Sequence, residues 1–259
     1  MTNSDTISAP DPKGKTIQPL RLDGITKNFG GIVAIKHFDL EAEAGEIIAL
    51  VGDNGAGKST LVKIISGLYQ PTDGDIWLNG QKTSFRDASD ARTKGVEVVY
   101  QDLALVDLQP VYMNLFLGRE LRKKPFGTLD RKLMATRTQA LVDELDVRIP
   151  SAKATLSDLS GGQRQGIAIA RATHWASGLV LMDEPTAALG VAETAKVEET
   201  ILKLKARGAA VLIVSHNMEQ VFRIADRVTV LRRGTQVATK KIADTSHNEL
   251  VAMITGLTS

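Results

Sequence analysis

The chain has 259 residues, 43% of them apolar and 24% charged, with a formal net charge of +2; it is long enough to bury a large core, and so near-neutral a balance speaks against a dedicated nucleic-acid binder. Cysteine is absent, which excludes disulfides and thiolate metal sites. No run reaches the roughly 18 apolar residues that a bilayer span requires, and the first residues lack the apolar core of a secretory signal.

Residues 1–19, rich in Thr, Ser, Asp, Pro and Lys, read as a flexible tail, and residues 20–259 as one domain. Short strands are expected at 20–25, 31–35, 46–51 and 75–78, the last closed by an Asn79-Gly80 hairpin turn. Between residues 51 and 61 lies Gly52-Asp53-Asn54-Gly55-Ala56-Gly57-Lys58-Ser59-Thr60, a complete G-x-x-x-x-G-K-[ST] between an apolar strand and a helical pattern. Glycines let such a loop turn its N–H groups toward phosphate oxygens, Lys58 adds a point charge at the β/γ oxygens, and the Ser59 hydroxyl suits Mg²⁺. The helix that follows aims its positive end at the same phosphates, so the loop is read as a nucleoside triphosphate site.

Residues 101–175 read as a helical lobe, with helices at 131–145 and 163–175. Strand and helix then alternate at 179–182, 192–206, 210–215, 218–224 and 228–231, which implies a mostly parallel sheet. A last helix spans 246–254 and stops at Gly256.

Leu159-Ser160-Gly161-Gly162-Gln163 opens the helix at 163–175 with a hydroxyl and exposed N–H groups, a second phosphate site about 100 residues from the first. At this point the sequence resembles the ATP-binding cassette (ABC) ATPases, whose signature is this LSGGQ. The resemblance implies an α/β P-loop cassette: a mostly parallel core sheet, an N-terminal antiparallel β subdomain and the inserted helical lobe. Asp183 and Glu184 end an apolar strand at the sheet edge where ligands of open α/β folds sit. Asp183 is placed there to hold the Mg²⁺ shell, and Glu184 to polarise the attacking water. His216 ends the strand at 210–215 at the same edge, and in the family that histidine contacts the γ-phosphate. Gln101, read as the end of an apolar strand through residues 98–101, corresponds to the family's Q-loop glutamine, which reaches Mg²⁺ and water. Phe29 matches the aromatic on which adenine stacks, with core packing as the competing role.

A P-loop on the sheet and a signature on the lobe do not easily reach one nucleotide within a monomer. The family pairs cassettes head to tail, each ATP lying between Lys58 of one copy and Ser160-Gly161-Gly162 of the other, so a homodimer with ATP and Mg²⁺ is implied. Apolar residues after Gln101 (Leu103, Leu105, Val106, Leu108, Val111, Met113, Leu115, Phe116) exceed what a solvated lobe needs. In the family this lobe accepts transmembrane permease subunits, which places the cassette on the cytoplasmic face of the membrane as a peripheral subunit. A basic group (Arg119, Arg122, Lys123, Lys124, Arg131, Lys132) reads as a solvated face. The stretches at 99–105, 114–120 and 184–190 are similar to the ATPases of bacterial monosaccharide importers of the ribose, xylose and fructose class, in which Gly190 replaces the Asp of the wider family. This implies a sugar importer served by an external solute-binding protein, with no nucleic acid as partner. An importer for another polar solute, or an ABC ATPase that moves no solute, remains the alternative.

Overall fold

The computed structural model describes residues 18–176, 178–187 and 189–257; the expected tail, apart from its last two residues, lies outside the described residues. Pro19 is already anchored, its carbonyl accepting from the Asn79 N–H at 3.2 Å.

The N-terminal part is built from β1 (Leu20–Phe29), β2 (Ile32–Ile35), β3 (Leu40–Ala42), β4 (Ile47–Val51), α1 (Lys58–Ile65), β5 (Asp73–Leu78), β6 (Gln81–Thr83), α2 (Ala88–Thr93) and β7 (Val96–Val99). The lobe carries α3 (Val111–Leu115), α4 (Arg131–Glu144) and the start of α5 (Gly161–Trp175). Then follow β8 (Leu179–Asp183), α6 (Val191–Ala206), β9 (Ala210–Val214), α7 (Met218–Ile224), β10 (Arg227–Arg232), β11 (Thr235–Lys241) and α8 (His247–Thr255).

Two sheets form. β2, β1, β5 and β6 make an antiparallel sheet with β3 on β1, and the second sheet runs β11-β10-β4-β9-β8-β7, parallel except for the β10–β11 hairpin. β4 and β9 are buried at every residue, as parallel strands covered on both faces are. Period two assigns their side chains. Ile48 and Leu50 join α1, α2 and the antiparallel sheet in one cluster, while Ile47, Ala49 and Val51 pack with α5, α6, α7 and α8 in another. A third cluster, around Phe116, Met134, Val142 and Ile167, holds the lobe together. α5 serves two of them, turning Ile167 and Ala170 to the lobe and Ala168, Ile169 and Ala172 to the sheet. The signature helix is therefore fixed to both bodies.

Two expectations are corrected. The strand before Gln101 stops at Val99, and Gln101 stands two residues beyond it in an exposed turn. That turn bends through positive φ at Leu103 and Ala104, and the Arg171 guanidinium donates to both of their carbonyls, at 3.0 and 2.8 Å. Arg119 leaves the solvated basic face: its guanidinium lies 2.9 Å from the buried Glu97 carboxylate and 4.7 Å over the Trp175 ring. Of the apolar residues after Gln101, Val111, Leu115 and Phe116 are buried in the lobe core, whereas Leu108 is 85% exposed.

Candidate nucleotide site

β4 runs directly into the loop at residues 52–57, whose glycines adopt backbone conformations that L side chains avoid. Gly52 has φ of 150°, and a Cβ there would lie 2.0 Å from the Leu231 carbonyl oxygen. Gly55, at φ 79°, has no atom within 4 Å of where its Cβ would project, so this side of the loop stays open. Close packing at Gly52 and open space at Gly55 together make a cradle. α1 begins at Lys58 with Gly57 as its cap, and no side chain satisfies its first N–H groups, which leaves them for an anion. Asn54, Ser59 and Thr60 line the cleft beside Lys58 together with the buried Ala56, and Asp53 lends its carbonyl to the lysine.

Lys58 Nζ folds back over the loop and donates to the carbonyls of Gly52 at 2.7 Å and Asp53 at 2.9 Å. Burial pushes its ammonium pKa down against the opposing pull of Glu184, Asp183 and Asp53. A cleft of about 440 Å³ joins Lys58, Ser59 and Thr60 to Glu184 across the sheet edge.

β8 carries Asp183 at its end, where burial and the neighbouring Glu184 raise the carboxyl pKa against Lys58 and Lys63. Glu184 follows with φ of 52°, a strained value for a non-glycine residue, pinned by its N–H donating to the Val214 carbonyl at 2.9 Å. Its Oε1 lies 3.2 Å from His216 Nδ1. The turn carrying His216 is held by the Ser215 hydroxyl, which donates to Gln220 Oε1 at 2.9 Å and accepts from the Asn217 N–H at 3.1 Å.

Ser160 caps α5: its hydroxyl accepts from the Gln163 N–H at 3.3 Å, and Gln163 Oε1 accepts from the Ser160 N–H at 2.9 Å. Gly161 is the first residue of the helix, and the Gly162 N–H donates to Glu193 Oε1 at 3.3 Å. Ser160, Gly162 and Gln163 border a cleft of about 260 Å³ distinct from the one around Lys58. The fold thus brings Lys58, Ser59, Asp183, Glu184 and His216 to one edge and keeps the signature apart.

Gln101 and Phe29 are not among the residues lining the Lys58 cleft. Phe29 is 43% exposed at the end of β1, edge-on to Tyr69 at 5.3 Å, so it is no core residue. The sequence reading missed Ile32, Val33, Arg233 and Gly234, which wall the same cleft. Gly234 ties β11 to the cradle, its N–H donating to the Ala56 carbonyl at 2.8 Å. Arg233 and Gly234 form a two-residue turn with φ of 48° and 75°. A Gly after an apolar strand was the available signal, masked because Arg rarely takes that place.

A glycine-rich loop and a lysine at one sheet edge, a carboxylate and imidazole paired beside them, and a serine-capped helix start at a separate cleft define a P-loop ATP-binding cassette. The chain belongs to the ABC transporter family, whose model matches residues 35–187, and it is an ATPase of that family. It is 45% identical over 236 residues to a xylose/arabinose import ATP-binding protein of Sulfolobus acidocaldarius, covering 91% of this chain and 93% of the relative. A fructose import ATP-binding protein of Rhizobium meliloti is 43% identical over 239 residues, covering 90% and 92%. Against a ribose import ATP-binding protein of Jannaschia sp. the identity is 40%, and the matched region, 96% of this chain, is 47% of that longer protein. A solved ATP-binding cassette of an ABC transporter in its ADP conformation superposes with a TM-score of 0.77 at 23% identity, over 93% of this chain and 96% of that one. A dimeric post-hydrolysis cassette bound to ADP and Pi gives 0.72 at 26% identity, over 86% and 98%.

Proposed function

We propose that the chain is the ATP-hydrolysing subunit of an importer that takes up a monosaccharide through separate permease subunits, working as a homodimer on the cytoplasmic face of the membrane. The observation that carries the dimer is the separation of the Lys58 and Ser160 clefts: two halves of a phosphate site in one chain are completed by a second copy. The sugar reading rests on the two relatives matched over nine-tenths of both chains, each named for sugar import.

Ser59 and Asp183 are the residues that would hold Mg²⁺. Asp183 is a desolvated carboxyl beside a second carboxylate, a place a cation relieves. Among the described residues no three His, Cys, Asp or Glu side chains are arranged to hold a metal ion by themselves, and a cation shared with phosphate needs no such cage. Mg²⁺, when bound, supplies charge neutralisation at the β- and γ-phosphate oxygens. Lys58 exchanges its two carbonyl partners for those oxygens. Glu184 orients and polarises the attacking water, and His216, already against its carboxylate, positions it and reaches the γ-phosphate. Gln101, on a turn held by Arg171, would join Ser59 and Asp183 in holding the cation, and Phe29 offers its exposed ring to adenine.

Among the described residues no helix is long and apolar enough to cross a membrane; the permease is a separate chain in this reading because the relatives matched over nine-tenths of their length are named as import ATP-binding proteins. A groove of about 480 Å³ between β7 and the lobe, floored by Glu97, Arg119 and Arg171, is the docking place we assign to it. Reconstitution with a candidate permease in liposomes tests the reading: ATP turnover rises with permease and sugar-loaded binding protein. Turnover indifferent to any permease would remove the transport role.

A further inference from the structure

Glu193 stands in the first turn of α6, yet it touches two helices. Its Oε2 accepts from the Gly190 N–H at 3.3 Å, satisfying the start of its own helix, where Gly190 has no side chain to offer. Its Oε1 accepts from the Gly162 N–H at 3.3 Å, in the first turn of α5. Two positive helix ends converge on one carboxylate. The packing is as close as the bonding. A Cβ at Gly162 would lie 2.9 Å from Glu193 Cγ and 3.0 Å from its Cβ, while φ at Gly162 is not in the left-handed region. Space, not backbone conformation, therefore requires glycine there, and what occupies that space is the Glu193 stem. At Gly190 the reverse holds: its φ is −71° and its Cβ would meet only Glu193 Oε2, at 4.0 Å, so a side chain would fit.

We propose that Glu193 is a positioning residue for the signature: its carboxylate straps the Ser160-Gly161-Gly162 turn to the start of α6, so that the turn is presented in one geometry to ATP held by a second copy. The inference rests on the dimer reading above. α6 follows directly on the segment that leaves Glu184, so the strap also joins the chain's own hydrolytic end to the surface it offers its partner. Without it the signature turn keeps the Ser160–Gln163 cap and its fold but loses its fixed orientation.

In a Glu184→Gln background, sedimentation measures ATP-dependent dimerisation of the Glu193→Ala, Gly162→Ala and doubly substituted chains. Each single change is expected to weaken dimerisation roughly tenfold, the scale of one charge-assisted hydrogen bond. The double change is expected to cost no more than the worse single one, because both act on one contact. A fluorescent ATP analogue should bind the Lys58 site of the Glu193→Ala chain as tightly as that of its Glu184→Gln parent. Gly190→Ser placed on Glu193→Ala restores a cap to α6 but not the strap, so the thermal midpoint recovers while dimerisation stays weak. Additive losses, or dimerisation rescued by Gly190→Ser, overturn the proposal. Amide exchange without nucleotide separates the two readings: the Gly162 N–H should exchange faster in Glu193→Ala, and unchanged exchange overturns the strap alone. Faster exchange with no ATP-dependent dimer of the parent Glu184→Gln chain overturns the dimer reading instead.

Discussion

Glu184 and His216 leave the ends of two adjacent parallel strands and meet at 3.2 Å, carboxylate to imidazole, beside the loop that holds Lys58. Glu184→Gln keeps the shape and removes the base. ATP turnover should fall roughly 10²- to 10⁴-fold with nucleotide affinity retained, measured as steady-state phosphate release against equilibrium binding. His216→Ala should lower turnover with binding retained, because Glu184 then loses its partner.

Gly52 and Gly55 separate folding from binding. Gly52→Ala drives a Cβ into the Leu231 carbonyl and should cost more than about 2 kcal/mol, read by urea unfolding. Gly55→Ala meets no atom and should cost only about 1 kcal/mol for its positive φ, while ATP affinity collapses because the methyl enters the cradle. Equal stability losses in the two variants would contradict the packing described.

Arg119→Ala leaves the Glu97 carboxylate buried without its nearest cation. Burial already raises the Glu97 pKa against Arg119 and Arg92, and removing Arg119 raises it further. A raised carboxyl pKa means the native state holds its proton longer than the unfolded chain, so stability falls as pH rises above the unfolded value near 4.5. The variant should lose about 3 kcal/mol at pH 8 and distinctly less at pH 5, by denaturant unfolding at the two pH values.

His174 packs against Phe116 and Trp175, with centroids 5.6 and 4.6 Å away, and its pKa is lowered by burial and then by Arg137 and Arg119. A depressed imidazole contributes its stability fully above the unfolded value near 6.5, and the contribution is lost as pH falls through the folded value. His174→Phe should therefore flatten the decline in thermal midpoint between pH 7.5 and 5. A decline unchanged by the substitution would place the titrating group elsewhere.

The motifs were legible because each is local: the loop at residues 52–60, the Ser160 cap and the apolar strand ending at Asp183 write their chemistry into consecutive residues. The helix at 218–224 came out with its observed bounds since Asn217 caps it, and α8 likewise lies between Ser246 and Gly256. β11 was invisible because Thr235–Lys241 is a polar edge strand without an apolar run, and β3 is only three residues long. β1 extends past the expected end at residue 25 through register shifts that carry polar Lys27 and Asn28 along the sheet. Glu193 and Arg233 gave no sign, because their roles come from contacts with residues 31 and about 180 positions away. Chain pattern encodes elements and motifs, whereas side-chain partners across the fold follow only from packing.

The strand feeding the phosphate loop has both its neighbours, β9 and β10, downstream of residue 209, and the loop's Ala56 carbonyl waits for Gly234. During synthesis β4 therefore emerges as an unpaired apolar segment and stays so until β9 and β10 have followed it out of the ribosome. Such late, long-range pairing makes folding slow and leaves the growing chain open to association. Nucleotide binding cannot precede it. A chain stalled before residue 210 would carry every residue of the P-loop but neither strand neighbour nor Gly234, so competence to bind ATP reports that these later strands are in place.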